Sequence, residues 1–377
     1  MKILQVSNFL TPVHGGSAEV PFQISKELAK RGHDVTIYTS DSRLEKPLII
    51  SGVDVQAFNT VFSLAGFNIT PAMIKKAGKD IKKFDIIHLH NFRTYQNIIA
   101  HRYTKESGVP YLLQAHGSLA TYFQKGLLKK TFDIAWGRKI LQDANTVFAV
   151  TEFEAEQYRN AGIKQEKIKI VPHGVDLAEF SLDTNKGDFR KRFQIIDSQK
   201  IVLYLGRIHK MKGLDILVKA FTGLYQKRQD VKLVIAGPDD GYLSSLKKMV
   251  AELKIGDGVV FTGPLYGQEK LQAYTDADVC VLPSSYEIFG ITILEAWACG
   301  KPVIVTDRCG LANAVKEGAG LVVPYDREEL AKALLNIIDN ESLRTGFGRQ
   351  GRKLVEEKYN WSKITVQLEN IYSQIKH

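Results

Sequence analysis

Along almost the whole chain, short apolar runs alternate with stretches in which apolar residues return every third or fourth position. This is the pattern of buried parallel strands separated by amphipathic helices. In the first half the runs predict strands at 2–7, 34–39, 53–58, 84–90, 110–115 and 146–150. The pattern restarts after a polar stretch at 181–191 with the composition of a domain boundary. Further strands are predicted at 201–205, 231–236, 259–262, 279–282, 302–305 and 321–323. Helices fill the intervals. The first, over 18–31, closes on Lys30-Arg31-Gly32, with cations at the negative end of the helix dipole and a glycine at the stop. Two doubly wound α/β domains are expected, and the length of 377 residues exceeds that of one ordinary domain. A solenoid is not expected, because no short repeat or low-complexity tract recurs.

Ligands of doubly wound sheets bind beyond the carboxyl ends of the strands, so the residues that directly follow strands carry the information about chemistry. His14-Gly15-Gly16 follow the first predicted strand, His88 and His90 close the fourth, and His116-Gly117 follow the fifth. In the second half Gly206-Arg207, Gly237 and Pro283-Ser284 hold the same kind of position. The segment 283–304 is the most informative: a strand end, a loop with Glu287, then Ile288, Phe289 and Gly290, then a helix carrying Glu295. Amides at a helix N-terminus have no intrahelical acceptor and sit at the positive end of the dipole, so this loop suits phosphate. Glu295 is placed to accept ribose hydroxyls and Glu287 to face sugar hydroxyls. Arg207 at a strand end and Lys212 at a predicted helix start can converge on one pyrophosphate.

This block resembles the Glu-x7-Glu motif of the family-four retaining glycosyltransferases with the GT-B fold. The resemblance extends over essentially the whole chain. It implies two Rossmann-like domains facing a central cleft: an acceptor-binding domain over 1–180, an NDP-sugar-binding domain over 181–360, and a helix at 361–377 packing back on the first domain. Gly206-Arg207-Ile208-His209-Lys210-Met211-Lys212-Gly213 resembles the segment that holds the donor diphosphate in that family. Gly15-Gly16 resembles its phosphate-approaching glycine pair, and Gly263-Pro264-Leu265 the place where backbone meets the nucleobase. His116 resembles the histidine that many members place near the transferred sugar. Val171-Pro172-His173-Gly174-Val175-Asp176 resembles the segment before the second domain, with His173 where the family often has asparagine. The resemblance further implies a retaining hexosyltransferase that uses an NDP-sugar, most commonly a UDP-sugar. It implies an acceptor hydroxyl in polysaccharide or glycolipid assembly and no metal or other cofactor.

Two patterns with metal-binding spelling are read otherwise. Asp276-Ala277-Asp278 precedes its strand and so lies at the edge opposite the expected site, as a surface turn. His88 and His90 share one face of a strand, with no third ligand at a clear spacing, which favours packing over zinc.

Charge changes the picture of the first domain. The chain carries a net +10, and residues 62–140 hold 13 Lys or Arg against 4 Asp or Glu. Such a field favours an acidic partner. Predicted helices at 73–83 and 122–141 mix cations with Phe123, Leu127, Leu128, Phe132, Trp136 and Ile140, which is surface-seeking character. Weak association with anionic membranes and an anionic or lipid-linked glycan acceptor are expected. No nucleic acid is expected, since no recognition motif is present. The segment 1–10 reads as a strand and not as a signal peptide, and no apolar run approaches the ~20 residues of a bilayer span. Cys280, Cys299 and Cys309 have no metal spacing. A cytoplasmic location, peripheral on the inner membrane face, fits these features. A sugar-nucleotide epimerase of the same fold and a basic nucleic-acid-binding protein remain as alternatives at this point.

Overall fold

Strands whose side chains are buried on both faces can only lie inside sheets covered on both sides. β1 (Lys2–Val6), with four consecutive buried residues, is such a strand. It is the third of the seven strands of the first sheet. In the computed structural model, which describes residues 1–10, 16–42, 44, 48–64, 66–119, 126–180 and 186–376, the chain divides into two units. These are Met1–His173 with Trp361–His377, and Gly174–Asn360.

The first unit contains β1, β2 (Asp34–Ser40), β3 (Val53–Phe58), β4 (Phe62–Leu64), β5 (Phe67–Ile69), β6 (Ile86–His90), β7 (Tyr111–Gln114), β8 (Thr146–Ala149) and β9 (Ile168–Ile170). Seven of these form one parallel sheet in the order β3-β2-β1-β6-β7-β8-β9, in which Ile3 pairs with Val35 on one side and Ile86 on the other. The strand order reverses between β1 and β6, so a crevice opens beyond their carboxyl ends. Apolar clusters cover both faces. On one, Val20, Ile24 and Leu28 of the first helix and Trp361, Ile364, Leu368 and Tyr372 of helix Trp361–Lys376 close over Ile3, Ile86, Leu112 and Phe148. On the other, Met73, Ala77, Ile99 and Ala100 close over Leu4, Ile87 and Leu113.

The second unit contains β10 (Lys200–Leu205), β11 (Val231–Ala236), β12 (Val259–Gly263), β13 (Val279–Leu282), β14 (Val303–Thr306) and β15 (Gly320–Val323). They form a parallel sheet in the order β12-β11-β10-β13-β14-β15, reversing between β10 and β13. This is the strand order of a dinucleotide-binding sheet.

Several sequence expectations shift. β9 and the hairpin β4–β5 were not foreseen: β9 has only three residues, and β4 is exposed throughout, so neither shows the apolar run that marks a buried strand. The first unit ends at His173, ahead of the boundary expected at 180, because Val175 bridges to Asn360 and Arg352 donates to the Phe180 carbonyl within the second unit. The helix expected over 73–83 is α-helical for Ala72–Asp80 and tightens to a 3-10 turn at Ile81–Lys83. The helix expected over 122–141 begins at Gly126 in the described residues and contains a π turn at Asp133–Gly137 before running on to Asp143. Residues 122–125, Phe123 and Lys125 among them, lie outside the described residues. No helix among the described residues is long and apolar enough to cross a membrane.

Candidate functional site

The second unit gathers the sequence-predicted residues at its switch point. After β10 the chain turns through Gly206 and Arg207 into a 3-10 turn at Lys210–Lys212, capped by His209, whose Nδ1 accepts from the Met211 amide. Lys212 therefore ends a short turn and does not begin a helix. Gly213 follows with φ 66°, a left-handed value that glycine adopts without strain, and the helix starts at Leu214. The turn is pressed against the end of β13: a Cβ on Gly213 would stand 2.0 Å from the Pro283 carbonyl oxygen. Ser285 fastens it further, donating its amide at 2.9 Å and its hydroxyl at 3.0 Å to the Met211 carbonyl.

The Glu287 loop is held as firmly. The Glu287 amide donates to the Arg308 carbonyl, and the Gly310 amide donates to the Glu287 carbonyl, a short parallel bridge to the loop after β14. The two anchored loops bring Lys212 Nζ to 2.5 Å from Glu287 Oε2, both groups mostly shielded from solvent at 18% and 16% exposure. Gly290, at φ 86°, is the N-cap of helix Ile291–Ala298, and a Cβ there would meet Leu282 at 2.9 Å. The first-turn amides of Ile291 and Thr292 have no intrahelical acceptor, so the anion-binding end of the helix starts one residue beyond Gly290. Ile288 and Phe289 are buried under it.

Arg207, expected to converge with Lys212 on one pyrophosphate, leaves the end of β10. It is 64% exposed and pairs with Asp240 Oδ2 at 2.5 Å. It still borders the same ground: burial raises the Tyr204 phenol well above its ordinary range, with the Glu287 charge raising it further and the Arg207 charge opposing. Tyr204 also donates to the Arg207 carbonyl at 2.8 Å, which fixes the strand exit.

Glu295 is buried at 6% exposure, and both of its oxygens already have donors, Lys270 Nζ at 2.6 Å and Tyr274 Oη at 2.7 Å. A carboxylate offers about four acceptor positions, so two remain for hydroxyl donors. Lys270 and Tyr274 were not singled out from sequence, although their four-residue spacing on helix Gly267–Asp276 puts them on one face. Leu265, just after β12, is buried. Asp276 and Asp278 sit at the amino edge of the sheet as clamps. Asp276 accepts from the Gly187 and Arg190 amides, and Asp278 accepts from the Ile201 amide at 2.8 Å and pairs with Lys200 and Arg190.

Gly16 and His116 belong to the first unit. Gly16 opens a 3-10 turn at φ 68°, with open space where a Cβ would stand. Gly15 and His14 lie outside the described residues. His116 itself adopts φ 52°, which is uncommon for a non-glycine residue. It sits in a row of histidines. Its Nε2 is 3.0 Å from His90 Nδ1, and its Nδ1 is 3.0 Å from His173 Nε2. His90 in turn meets Gln5 Oε1 at 2.6 Å and stacks on His88, ring centroids 4.0 Å apart; His88 Nδ1 lies 2.7 Å from the Tyr372 hydroxyl. Burial pushes His88, His90 and His116 well below the ordinary imidazole range, and His173 down to about 3. Both ring nitrogens of His116 are thus engaged by histidines.

Glu154 was also missed. Thr151 and Glu154 spell a capping box, which marks Glu154 as a local helix-start residue. Its carboxylate does accept from the Val150 amide at 2.9 Å, but it also accepts from the Gly117 amide at 2.5 Å, bracing the His116 loop from below. Burial raises it to about 7.

The family model described as Glycosyltransferase Family 4 matches residues 14–179, and that described as Glycosyl transferases group 1 matches residues 185–354. An uncharacterized glycosyltransferase of Methanocaldococcus jannaschii is 28% identical, covering 99% of this chain and 98% of the relative. An alpha-monoglucosyldiacylglycerol synthase of Streptococcus pneumoniae is also 28% identical, covering 90% of this chain and 78% of the relative. Among solved structures, Anabaena HepE in complex with UDP-glucose superposes with a TM-score of 0.81 at 20% identity, covering 99% of this chain and all of HepE.

Proposed function

Because this chain belongs to the GT-B glycosyltransferases of the group 1 and family 4 type, we propose that it transfers a hexosyl group from a UDP-sugar to an acceptor hydroxyl with retention at the anomeric carbon. The observation that carries this reading is the Lys212–Glu287 pair, held beside the helix start at Gly290 where the second sheet reverses its strand order. In the proposed step the bond between the anomeric carbon and the diphosphate oxygen breaks while the acceptor oxygen bonds the same face. The departing diphosphate takes the acceptor proton. Lys212, Arg207 and the amides of Ile291 and Thr292 stabilise the negative charge that develops on the diphosphate, which is the work a metal ion does in other transferases. Glu287 holds Lys212 and faces sugar hydroxyls; Glu295, with its remaining acceptor capacity, takes the ribose hydroxyls.

UDP-glucose is the first donor to test, since the HepE complex supplies the precedent for the fold. A ligand that binds only the native state raises the melting temperature according to its concentration over its Kd. UDP-glucose at 100 times its Kd is expected to stabilise the protein by about 2.7 kcal/mol. A thermal-shift series against UDP-, GDP- and ADP-sugars reads this directly. No shift with any of the three would remove the donor assignment.

The acceptor side of the proposal rests on the first unit. Leu127, Leu128, Ile134 and Trp136 are exposed along helix 126–143, beside Lys129, Lys130, Arg138 and Lys139. Val61, Phe62 and Leu64 are exposed on the adjoining hairpin, whose Phe67 packs edge-on against Phe132 of the same helix. Apolar side chains rimmed by cations suit an anionic lipid surface, to which each lysine or arginine near the surface contributes about 1 kcal/mol. We read the acceptor as an anionic or lipid-linked glycan presented at such a surface, with the protein peripheral to it. Sedimentation with vesicles is expected to recover the protein with phosphatidylglycerol-containing lipid and not with pure phosphatidylcholine. Replacing Leu127, Leu128 and Trp136 together by serine should abolish the difference; equal recovery with both lipids before any substitution would count against the surface reading.

A further inference from the structure

The histidine row in the first unit has an internal logic that its members' separate positions do not disclose. Gln5 Oε1 accepts from His90 Nε2–H. A neutral imidazole has one N–H and one acceptor nitrogen, so His90 Nδ1 must accept, and His116 Nε2–H donates to it. His116 Nδ1 is then an acceptor in turn and takes His173 Nε2–H. One amide oxygen on β1 thereby dictates the tautomer of three rings on three different segments. A proton added to His116 would set its Nδ1–H against His173 Nε2–H unless His173 changed tautomer as well, so the geometry opposes charge independently of burial. The junctions are head-to-head nitrogens at hydrogen-bond distance, with each lone pair taken by an N–H. No group of three or more side chains able to hold a metal ion is present among the described residues.

We propose that Gln5, His90 and His173 are positioning residues for glycosyl transfer, holding His116 uncharged and in one tautomer with both ring nitrogens satisfied inside the first domain. His116 and Gly117 both adopt left-handed φ, so the row also fixes the backbone of the loop after β7. This rests on the proposed glycosyl transfer and on the resemblance of His116 to the histidine that family members place near the transferred sugar. The groups facing the row are Gln5 from β1, His88 and its partner Tyr372, Gln114 at the end of β7, Glu154 and Tyr158 from helix Glu152–Asn160, and Trp361 beside His173. Of these, Glu154 is the acid, and it is turned to the Gly117 amide.

The test uses the full chain with ring-labelled histidine, read by nitrogen NMR, and in parallel the release of UDP from UDP-glucose. In the unsubstituted protein His90, His116 and His173 are expected to give neutral Nε2–H signals that do not move between pH 8 and pH 6. His90→Phe keeps a ring but removes the acceptor for His116. It should mix the His116 tautomers, make UDP release at least tenfold slower, and steepen its decline below pH 7. His90→Gln, whose amide oxygen can accept and whose N–H can donate, should restore the single tautomer and most of the rate. A single Nε2–H tautomer at His116 persisting in His90→Phe would overturn the proposal, and so would equal losses in His90→Phe and His90→Gln. Altered tautomers in His90→Phe with an unchanged rate would instead overturn the place of His116 in the reaction, leaving the row as architecture.

Discussion

Replacing Lys212 by alanine is expected to slow transfer by about 30- to 1,000-fold, corresponding to about 2–4 kcal/mol of barrier, the usual loss for one preorganised charge partner of a transition state. Lys212 is the cation the fold fixes best. The Gly213 approach to Pro283, the Ser285 bonds to Met211 and the Glu287 partner all restrict where its ammonium group can be. A group held in place before the diphosphate charge develops needs no reorganisation when it does. Lys212→Ala also strands the Glu287 carboxylate, which is only 16% exposed, so a loss of rate by itself is ambiguous. Lys212→Gln resolves it, because its amide can still donate to the Glu287 carboxylate but carries no charge. If the loss came from the unpaired carboxylate, Lys212→Gln would regain rate; it is expected to stay nearly as slow as Lys212→Ala. Arg207→Ala is the complementary case. Its pair with Asp240 is solvent-exposed, worth about 0–1 kcal/mol of stability, so its kinetic defect should appear with little change in melting temperature. Near-normal steady-state rates in both single variants would remove the leaving-group role of these cations.

The first domain is expected to lose on the order of 5 kcal/mol of stability between pH 7 and pH 5. His88, His90, His116 and His173 are all held neutral in the folded chain, with burial the first cause in every case. A histidine with a depressed folded value binds a proton in the unfolded chain first, near its ordinary value of about 6.5. Its contribution to stability is therefore fully present above that value and is lost as the pH falls below it. Each such group loses up to about 2 kcal/mol over this interval. Glu154 acts in the other direction, because its folded value of about 7 lies above the ordinary carboxyl range and the folded form gains protons first, offsetting about 2 kcal/mol. The remainder is comparable to the whole stability of a typical domain. The second unit, whose only histidine is His209, has no matching liability. Calorimetry should show one transition moving steeply to lower temperature with acid while another moves little. Two transitions with the same pH dependence, or neither moving above pH 5, would contradict the assignment of the row as buried and neutral.

Much of this architecture could be read along the chain, and the limits of that reading follow from particular residues. Strands buried on both faces, such as β6, β13 and β14, announce themselves as continuous apolar runs. The exposed β4 and the three-residue β9 do not, because neither has enough buried positions to set a period. The Glu287–Gly290–Glu295 block was legible because its members are close in sequence and glycine at Gly290 meets a local backbone requirement. That Glu295 takes Lys270 and Tyr274 was not, since the partners come from another helix. The histidine row is the extreme case. Gln5, His90, His116 and His173 stand on separate segments, and no spacing relates them.

What the amino-acid order determined alone is whatever depends on neighbours within a few residues: the alternation of strand and helix, the helix stops, the glycines at left-handed turns, and the placement of unusual residues at strand ends. Tertiary structure decided which charges meet. It gave Lys212 to Glu287 and Arg207 to Asp240, turned Asp276 and Asp278 into amino-edge clamps, and set one amide of β1 to govern three imidazoles. The physical reason is range. Backbone preferences act over a single turn or strand, whereas a hydrogen bond or ion pair is specified only when packing carries distant segments to within about 3 Å of each other.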